Sequence, residues 1–216
     1  NYRLPKDRLD EDIQAILETG VQVEFGKRIG KDITIQSLCQ EYDAVLISIG
    51  ASTDKKLGIE GEQAEGVISA VSFLRDVGED KSPDLTGQEV AVIGGGNVSM
   101  DAVRTAKRLG AKKVSIVYRR RTADMTALPA EIEGAVAEGI EVLTLKAPSR
   151  IETDENGHVS GIYVTPQMIS KIKDGRASVC PTGEEDFLIP CQTLIVAIGQ
   201  DIESEHFAEA GVPVSR

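Results

Sequence analysis

The chain is poor in aromatic residues and has no long apolar run. Its 216 residues include no Trp, four Phe and four Tyr. So few rings leave little surface for stacking single-stranded nucleic acid. No segment approaches the roughly 18 apolar residues of a membrane span, and none has the pattern of a signal peptide. We therefore expect a cytoplasmic protein whose main partner is neither nucleic acid nor membrane.

Cysteine and histidine are also scarce. The three cysteines, Cys39, Cys180 and Cys191, are widely spaced and form no Cys-x-x-Cys motif, which argues against zinc, iron-sulfur and dithiol chemistry. The two histidines, His158 and His206, have no catalytic partners nearby in the sequence. We predict no metal site and no catalytic side chain. The cysteines are expected to be buried or idle thiols, with no role assigned to any of them.

What the chain does have is an ordinary globular balance. Hydrophobic residues make up 41%, charged residues 27%, and 21 residues are glycine. This composition favours an α/β fold with many tight turns between strands and helices. The formal net charge of -11 repels phosphate backbones and anionic lipids, so it too argues against nucleic acid and membrane.

Residues 1–82 show alternating helix and strand patterns. Apolar periodicity predicts helices over 9–20, 35–40 and 70–77, and short apolar runs predict strands over 21–25 and 44–49. The run at 44–49 is continuous, which is typical of a strand buried on both faces. The polar segment 78–87 predicts a linker, and we place the main domain boundary at residues 82–83.

Residues 83–200 show the pattern of a second domain. A strand over 89–93, a glycine turn, a helix over 98–109 and a strand over 114–118 form a strand-helix-strand unit. A helix over 130–138 and a strand over 140–145 continue the sheet. The turn at Asn156-Gly157 predicts an antiparallel hairpin over 150–165, followed by an exposed return over 171–186. A buried strand is predicted over 193–198.

The glycine turn carries the first functional motif. Gly94-Gly95-Gly96-Asn97-Val98-Ser99 follows a buried strand and begins a helix, as a dinucleotide-binding turn requires. Gly94 allows the sharp turn, Gly96 lets the backbone approach a pyrophosphate, and the helix N-terminus offers N–H groups to that anion. Ser99 stands where Gly or Ala is usual.

The second motif is Tyr118-Arg119-Arg120-Arg121 at the end of the next strand. An NAD site places a carboxylate there to bind the ribose 2′-hydroxyl, whereas guanidinium groups suit the 2′-phosphate of NADP. We therefore predict NADPH as the cofactor. Arg119 and Arg120 are the stronger candidates, and Arg121 is the one that could simply face water.

Together these segments resemble the small subunit of NADPH-dependent glutamate synthase and related FAD- and NAD(P)-dependent pyridine nucleotide-disulfide oxidoreductases. The resemblance also rests on Asp124-Met125, on Glu131-Ile132-Glu133 and on the run from Ile195 to Gln200, and it covers nearly the whole chain. Thr126 departs from it, because members of the family tend to have proline there.

The resemblance implies an α/β fold with a three-layer Rossmann-like NADPH domain at 83–200, a small antiparallel β insert, and part of a split FAD domain at 1–82. Residues 201–216 would start the return into the FAD domain. It also implies hydride transfer from NADPH to FAD and onward to an iron-sulfur domain or large subunit, with oligomers possible. Ile198 and Gly199 join the predicted cofactor site.

The chain contains no second glycine fingerprint and no Gly-Asp flavin motif after Gly199. We therefore expect an excised portion of a larger enzyme that does not retain FAD and is inactive alone. Two alternatives stay open. One is a non-catalytic NADP-binding regulatory or assembly module, and the other is a thioredoxin reductase-like enzyme, which the lack of Cys-x-x-Cys disfavours.

Overall fold

The computed structural model describes residues 4–51, 53–173 and 175–214. They form two compact units, a smaller one of residues 4–51 and 202–214 and a larger one of residues 53–201. Within the described ranges, no helix has the length and apolar content needed to cross a membrane.

The elements are numbered in chain order. The helices are α1 (Lys6–Leu17), α2 (Ile35–Glu41), α3 (Ala70–Gly78), α4 (Asn97–Arg108), α5 (Pro129–Ala137) and α6 (Glu205–Glu209). The strands are β1 (Thr53–Asp54), β2 (Val67–Ser69), β3 (Glu89–Ile93), β4 (Lys113–Tyr118), β5 (Glu141–Thr144), β6 (Lys146–Thr153), β7 (Val159–Lys173), β8 (Arg176–Pro181), β9 (Phe187–Pro190), β10 (Thr193–Val196) and β11 (Gln200–Asp201).

The smaller unit contains the helices α1, α2 and α6. The first two confirm the predicted helices, although α1 has no buried residue. The predicted strands at 21–25 and 44–49 are wrong: neither segment is a strand, and Phe25 and Leu46 are 88% and 92% exposed. A strand exists only where a neighbour accepts its backbone hydrogen bonds, and the described residues of this unit offer no such neighbour.

A five-stranded parallel sheet organises the larger unit, in the order β2-β10-β3-β4-β5. The strand-helix-strand unit β3-α4-β4 is as predicted, and β10 is buried along its whole length. One face of the sheet packs against α3, α4 and α5 through a core that includes Phe73, Met100, Val103 and Ile116.

The antiparallel sheet β6-β7-β8, with β9 paired to β7, covers the other face. Ile93 and Leu194 of the parallel sheet share a second core with Ile162 and Val164 of β7. The layers are therefore helices, parallel sheet and antiparallel sheet, which confirms the predicted three-layer α/β class and its insert. The return predicted over 171–186 is exposed over 183–186 but not throughout, because β8 pairs with β7 and Ala177 is buried.

The larger unit begins with β1 and ends with β11. These two strands pair, Thr53 with Asp201 and Asp54 with Gln200. The predicted boundary at 82–83 falls inside this unit rather than at its edge. The reason is that β2 pairs with β10, and α3 packs against α4, so residues 67–78 belong to the parallel sheet and its helical layer. Assignment of residues 1–82 to an FAD domain stays a prediction.

Candidate functional site

A cavity of about 540 Å³ opens at the carboxyl ends of β3, β4 and β10. This edge of a parallel sheet is where open α/β folds bind their ligands, and the volume is within the about 300–1,000 Å³ usual for cofactor sites. All residues around it belong to the larger unit. Those with a predicted role are Gly94, Gly95, Gly96, Asn97, Val98, Arg119, Arg120, Ile198 and Gly199.

Two of the three glycines are required by their neighbours. Gly94 has a φ of +145°, and a Cβ there would lie 2.3 Å from the backbone oxygen of Ala197. A Cβ on Gly95 would lie 2.7 Å from the ring of Tyr118. Real Cβ atoms do not approach so closely, so the turn can pass between β10 and Tyr118 only with glycine at both positions.

Gly96 is different, because little protein surrounds its missing side chain. It is the N-cap of α4 with an extended backbone, and the nearest atom to a Cβ there would be Thr126 Oγ1 at 3.4 Å. No side chain of the described residues caps this helix end, and its first turn has no acidic residue. The backbone N–H groups of this turn are therefore suited to an anion in the cavity.

A loop after β4 holds the glycine turn in place. The backbone N–H groups of Thr126 and Ala127 donate to the Gly95 oxygen at 3.0 and 3.1 Å, and the Leu128 N–H donates to Asn97 Oδ1 at 3.0 Å. A proline at position 126 could not make the first of these bonds. Threonine at this position, where the resemblance implies proline, thus adds a backbone contact to the turn.

The three arginines have three different environments. Arg119 is exposed and lines the cavity, and Arg120 lines it while its Nε donates to the Ala177 oxygen at 2.9 Å. Arg121 lies outside the cavity, because Asp124 binds its Nε and Nη2 at 2.7 and 2.8 Å. The structure therefore brings two of the three to the cavity, and Arg121 faces a carboxylate rather than water.

Ser99 also lies outside the cavity. Its side chain is buried behind the glycine turn, and Oγ is 3.4 Å from the Ala197 oxygen. Ile198 and Gly199 do reach the cavity from the end of β10, and the Gly199 oxygen accepts a hydrogen bond from the Lys55 N–H at 3.2 Å. The glycine-turn and β10 residues are thus brought together, with Ser99 supporting them from beneath.

Comparison with known proteins gives this arrangement a family. The model of the pyridine nucleotide-disulphide oxidoreductase family matches residues 5–216. The chain belongs to that family.

Three relatives illustrate where the chain lies within this oxidoreductase family. It is 39% identical to the β subunit of NADP(+)-dependent formate dehydrogenase from Moorella thermoacetica, covering 93% of this chain and 29% of that protein. It is 37% identical to the β subunit of NADPH-Fe(3+) oxidoreductase from Geobacter sulfurreducens, covering 93% and 30%. It is 30% identical to the small chain of NADPH glutamate synthase from Escherichia coli, covering 92% and 44%. The chain thus spans less than half the length of each relative.

A solved structure has a similar fold. The Mycobacterium tuberculosis oxidoreductase FprA, solved in complex with NADPH, superposes with a TM-score of 0.65 at 22% identity, covering 80% of this chain and 53% of that one. At this identity the likeness concerns the fold alone.

Some residues that line the cavity of this chain were not predicted from the sequence. Thr126 lines it beside the glycine turn, and Asp54 and Gln200 reach it from the paired strands β1 and β11. Strands of two residues leave no periodic pattern, so periodicity could not have identified Asp54 or Gln200, although Gln200 ends the run that contributes to the family resemblance. Thr126 had a signal, because it follows the arginines at a position where the resemblance implies proline.

The remaining reactive groups lie away from the cavity. His158 is 3.4 Å from the Glu65 carboxylate, and Glu131 binds Arg104 at 3.0 Å. Burial raises the pKa of the Cys191 thiol to about 12, which keeps it protonated and unreactive. Among the described residues, no three His, Cys, Asp or Glu side chains are grouped so that they could hold a metal ion.

Proposed function

We propose that this chain is the NADPH-binding portion of a flavoprotein oxidoreductase similar to the glutamate synthase small subunit. The observation that carries the proposal is the pair of arginines, Arg119 and Arg120, at the cavity end of β4. An NAD site needs a carboxylate at this strand end. Two guanidinium groups there are positively charged and would bind the negatively charged 2′-phosphate.

The rest of the cavity supports an orientation of the cofactor in which its 2′-phosphate lies at these two arginines. The pyrophosphate would lie against Gly96 and the first turn of α4, where the backbone is open and no side chain caps the helix. The nicotinamide would extend toward Ile198 and Gly199. Hydride transfer between a nicotinamide and a flavin needs positioning rather than proton transfer, so no acid or base need be present among these residues.

In the whole protein, reduced nicotinamide would supply a hydride, FAD would accept it, and electrons would pass to an iron-sulfur domain or larger partner subunit. The relatives support this reading, because their names include NADP(+)-dependent formate dehydrogenase, NADPH-Fe(3+) oxidoreductase and NADPH glutamate synthase. Two of them are β subunits and one is a small chain, which supports a partner subunit. FAD binding, the partner and the final acceptor belong to the proposal.

Anaerobic rapid mixing of the full-length flavoprotein with NADPH or NADH tests this function. We expect the flavin absorbance near 450 nm to bleach with NADPH, and more slowly with NADH at equal concentration. Binding of NADPH without any bleaching would contradict the proposal and favour the regulatory module. The 216-residue chain without flavin should bind NADPH and leave its absorbance at 340 nm unchanged over hours.

A further inference from the structure

The outer edge of β8 is bonded to the arginine loop. Ala177 points both its backbone groups away from β7: its N–H donates to Asp124 Oδ1 at 3.0 Å, and its oxygen accepts from Arg120 Nε at 2.9 Å. Edge strands normally leave such groups to water. Here one residue of the antiparallel sheet is bonded to the side chains of two residues in the loop after β4.

Asp124 is the centre of these contacts. Its side chain is fully buried, and its oxygens accept from the Arg121 guanidinium, from the Arg121 backbone N–H at 3.2 Å and from Ala177. Its own backbone oxygen accepts from the Tyr118 hydroxyl at 2.8 Å. These hydrogen bonds, that from the Arg121 guanidinium first, hold the pKa of Asp124 well below its usual range.

We propose that Asp124 and the β8 edge at Ala177 position Arg120 for the 2′-phosphate, so that the antiparallel sheet helps to select NADPH over NADH. This rests on the proposed function, since it deepens the role of one residue in that cavity. Asp124 and Ala177 do not line the cavity. They are positioning residues that act through Arg120.

The hydrogen bonds of Asp124 and Ala177 have two effects on the arginines. An arginine has five N–H donors, and fixing Nε on the Ala177 oxygen leaves the four terminal N–H groups for a phosphate. A side chain held in this way loses less conformational freedom when a ligand binds. Asp124 also accepts two hydrogen bonds from Nε and Nη2 of the Arg121 guanidinium, which holds this second cation outside the cavity.

Asp124→Asn is the first test. Both carboxylate oxygens accept hydrogen bonds, so an amide nitrogen on either side would face a donor. We expect the Kd for NADPH to rise about tenfold, the equivalent of one charge-assisted hydrogen bond, and the Kd for NADH to stay within twofold. The change in nucleotide fluorescence on binding measures both constants.

Ala177→Pro is the second test and leaves Asp124 intact. It removes the N–H that points away from β7, so the ladder between the two strands keeps its hydrogen bonds. The same selective loss of NADPH affinity is expected. If Asp124→Asn unfolds below the assay temperature, Ala177→Pro alone tests the positioning role. Glu138→Gln is the matched control, since it weakens ion pairs with Arg104 and Arg108 on α4 away from the cavity.

The outcomes separate this inference from the proposed function. If the unmodified protein binds both nucleotides equally, the proposed function is wrong. If it prefers NADPH and Arg120→Ala loses that preference while Asp124→Asn and Ala177→Pro keep it, only the positioning role is wrong. An equal loss of NADPH and NADH affinity in the two variants would also overturn the inference, because a merely structural role affects both nucleotides.

Discussion

Replacing each glycine of the turn by alanine should separate folding from ligand binding. Gly94→Ala meets two obstacles: a φ of +145°, which side chains other than glycine rarely adopt, and a Cβ only 2.3 Å from the backbone oxygen of Ala197. Neither obstacle is a flexible side-chain end that could rotate away. We expect destabilisation of about 3 kcal/mol or more, from backbone strain together with overpacking.

Alanine at the other two positions should cost less folding stability than alanine at Gly94. At Gly95 the added carbon meets the Tyr118 ring at 2.7 Å, and the ring is held by its hydroxyl on the Asp124 oxygen, so we expect a loss of about 1–3 kcal/mol. At Gly96 the nearest atom is at 3.4 Å, and the backbone is already extended. Its stability should change by no more than about 0.5 kcal/mol.

Urea unfolding and NADPH titration of the three variants give the measurement. The predicted order of stability loss is Gly94→Ala, then Gly95→Ala, then Gly96→Ala with almost none. Gly96→Ala should nevertheless weaken NADPH binding by about tenfold or more, because its methyl group would occupy the approach of the pyrophosphate. The reasoning is refuted if Gly96→Ala is as unstable as Gly94→Ala, or if it binds NADPH as well as the unmodified protein.

Three further predictions concern groups near or outside the turn. Ellman's reagent at pH 8 should modify the exposed Cys39 within minutes and Cys191 only after unfolding, since burial keeps the latter thiol protonated; fast modification of a native Cys39→Ser variant at Cys191 would contradict this. The lowered pKa of Asp124 means that its contribution to stability is complete above the unfolded value of about 3.9 and is lost as pH falls toward the lower folded value. The stability difference between the unmodified protein and Asp124→Asn should therefore be constant from pH 8 to about 5 and shrink below about 4, and a difference that does not depend on pH would argue against the ion pair. Ser99→Val should lower the free energy of unfolding by about 1–3 kcal/mol, because the buried position behind Gly94 is already filled by Oγ and valine would overpack it. Ser99→Ala should lower it by about 1 kcal/mol or less. Differential scanning fluorimetry measures both.

The parts of the site that could be predicted are those encoded within a short stretch of chain. The strand, the glycine turn and the start of α4 are contiguous, and each position has its own steric or electrostatic requirement. The same holds for the arginines at the end of β4. Local patterns of this kind indicate the fold class and predict the type of cofactor, because the neighbours that matter lie a few residues away.

The parts that could not be predicted depend on contacts between distant segments. Arg121 is drawn from the cavity by Asp124, and Arg120 is held by Ala177, 57 residues along the chain. The apolar run at 44–49 has the composition of a buried strand, yet composition does not specify a pairing partner, and the described residues provide none. The continuation of β7 beyond residue 165 and the strand β8 were missed for the related reason that a polar edge hairpin resembles a loop in sequence.

The central claim is that Arg119 and Arg120 make this cavity specific for a 2′-phosphate. The most direct measurement is the ratio of the dissociation constants for NADH and NADPH, determined by nucleotide fluorescence for the unmodified chain and for Arg119→Ala with Arg120→Ala. Hydrogen bonds to charged groups contribute about 1.5–3 kcal/mol each, so the ratio should be at least about tenfold in favour of NADPH and fall toward one in the double variant. Equal affinities in the unmodified chain, or a ratio that the double variant leaves unchanged, would contradict the account.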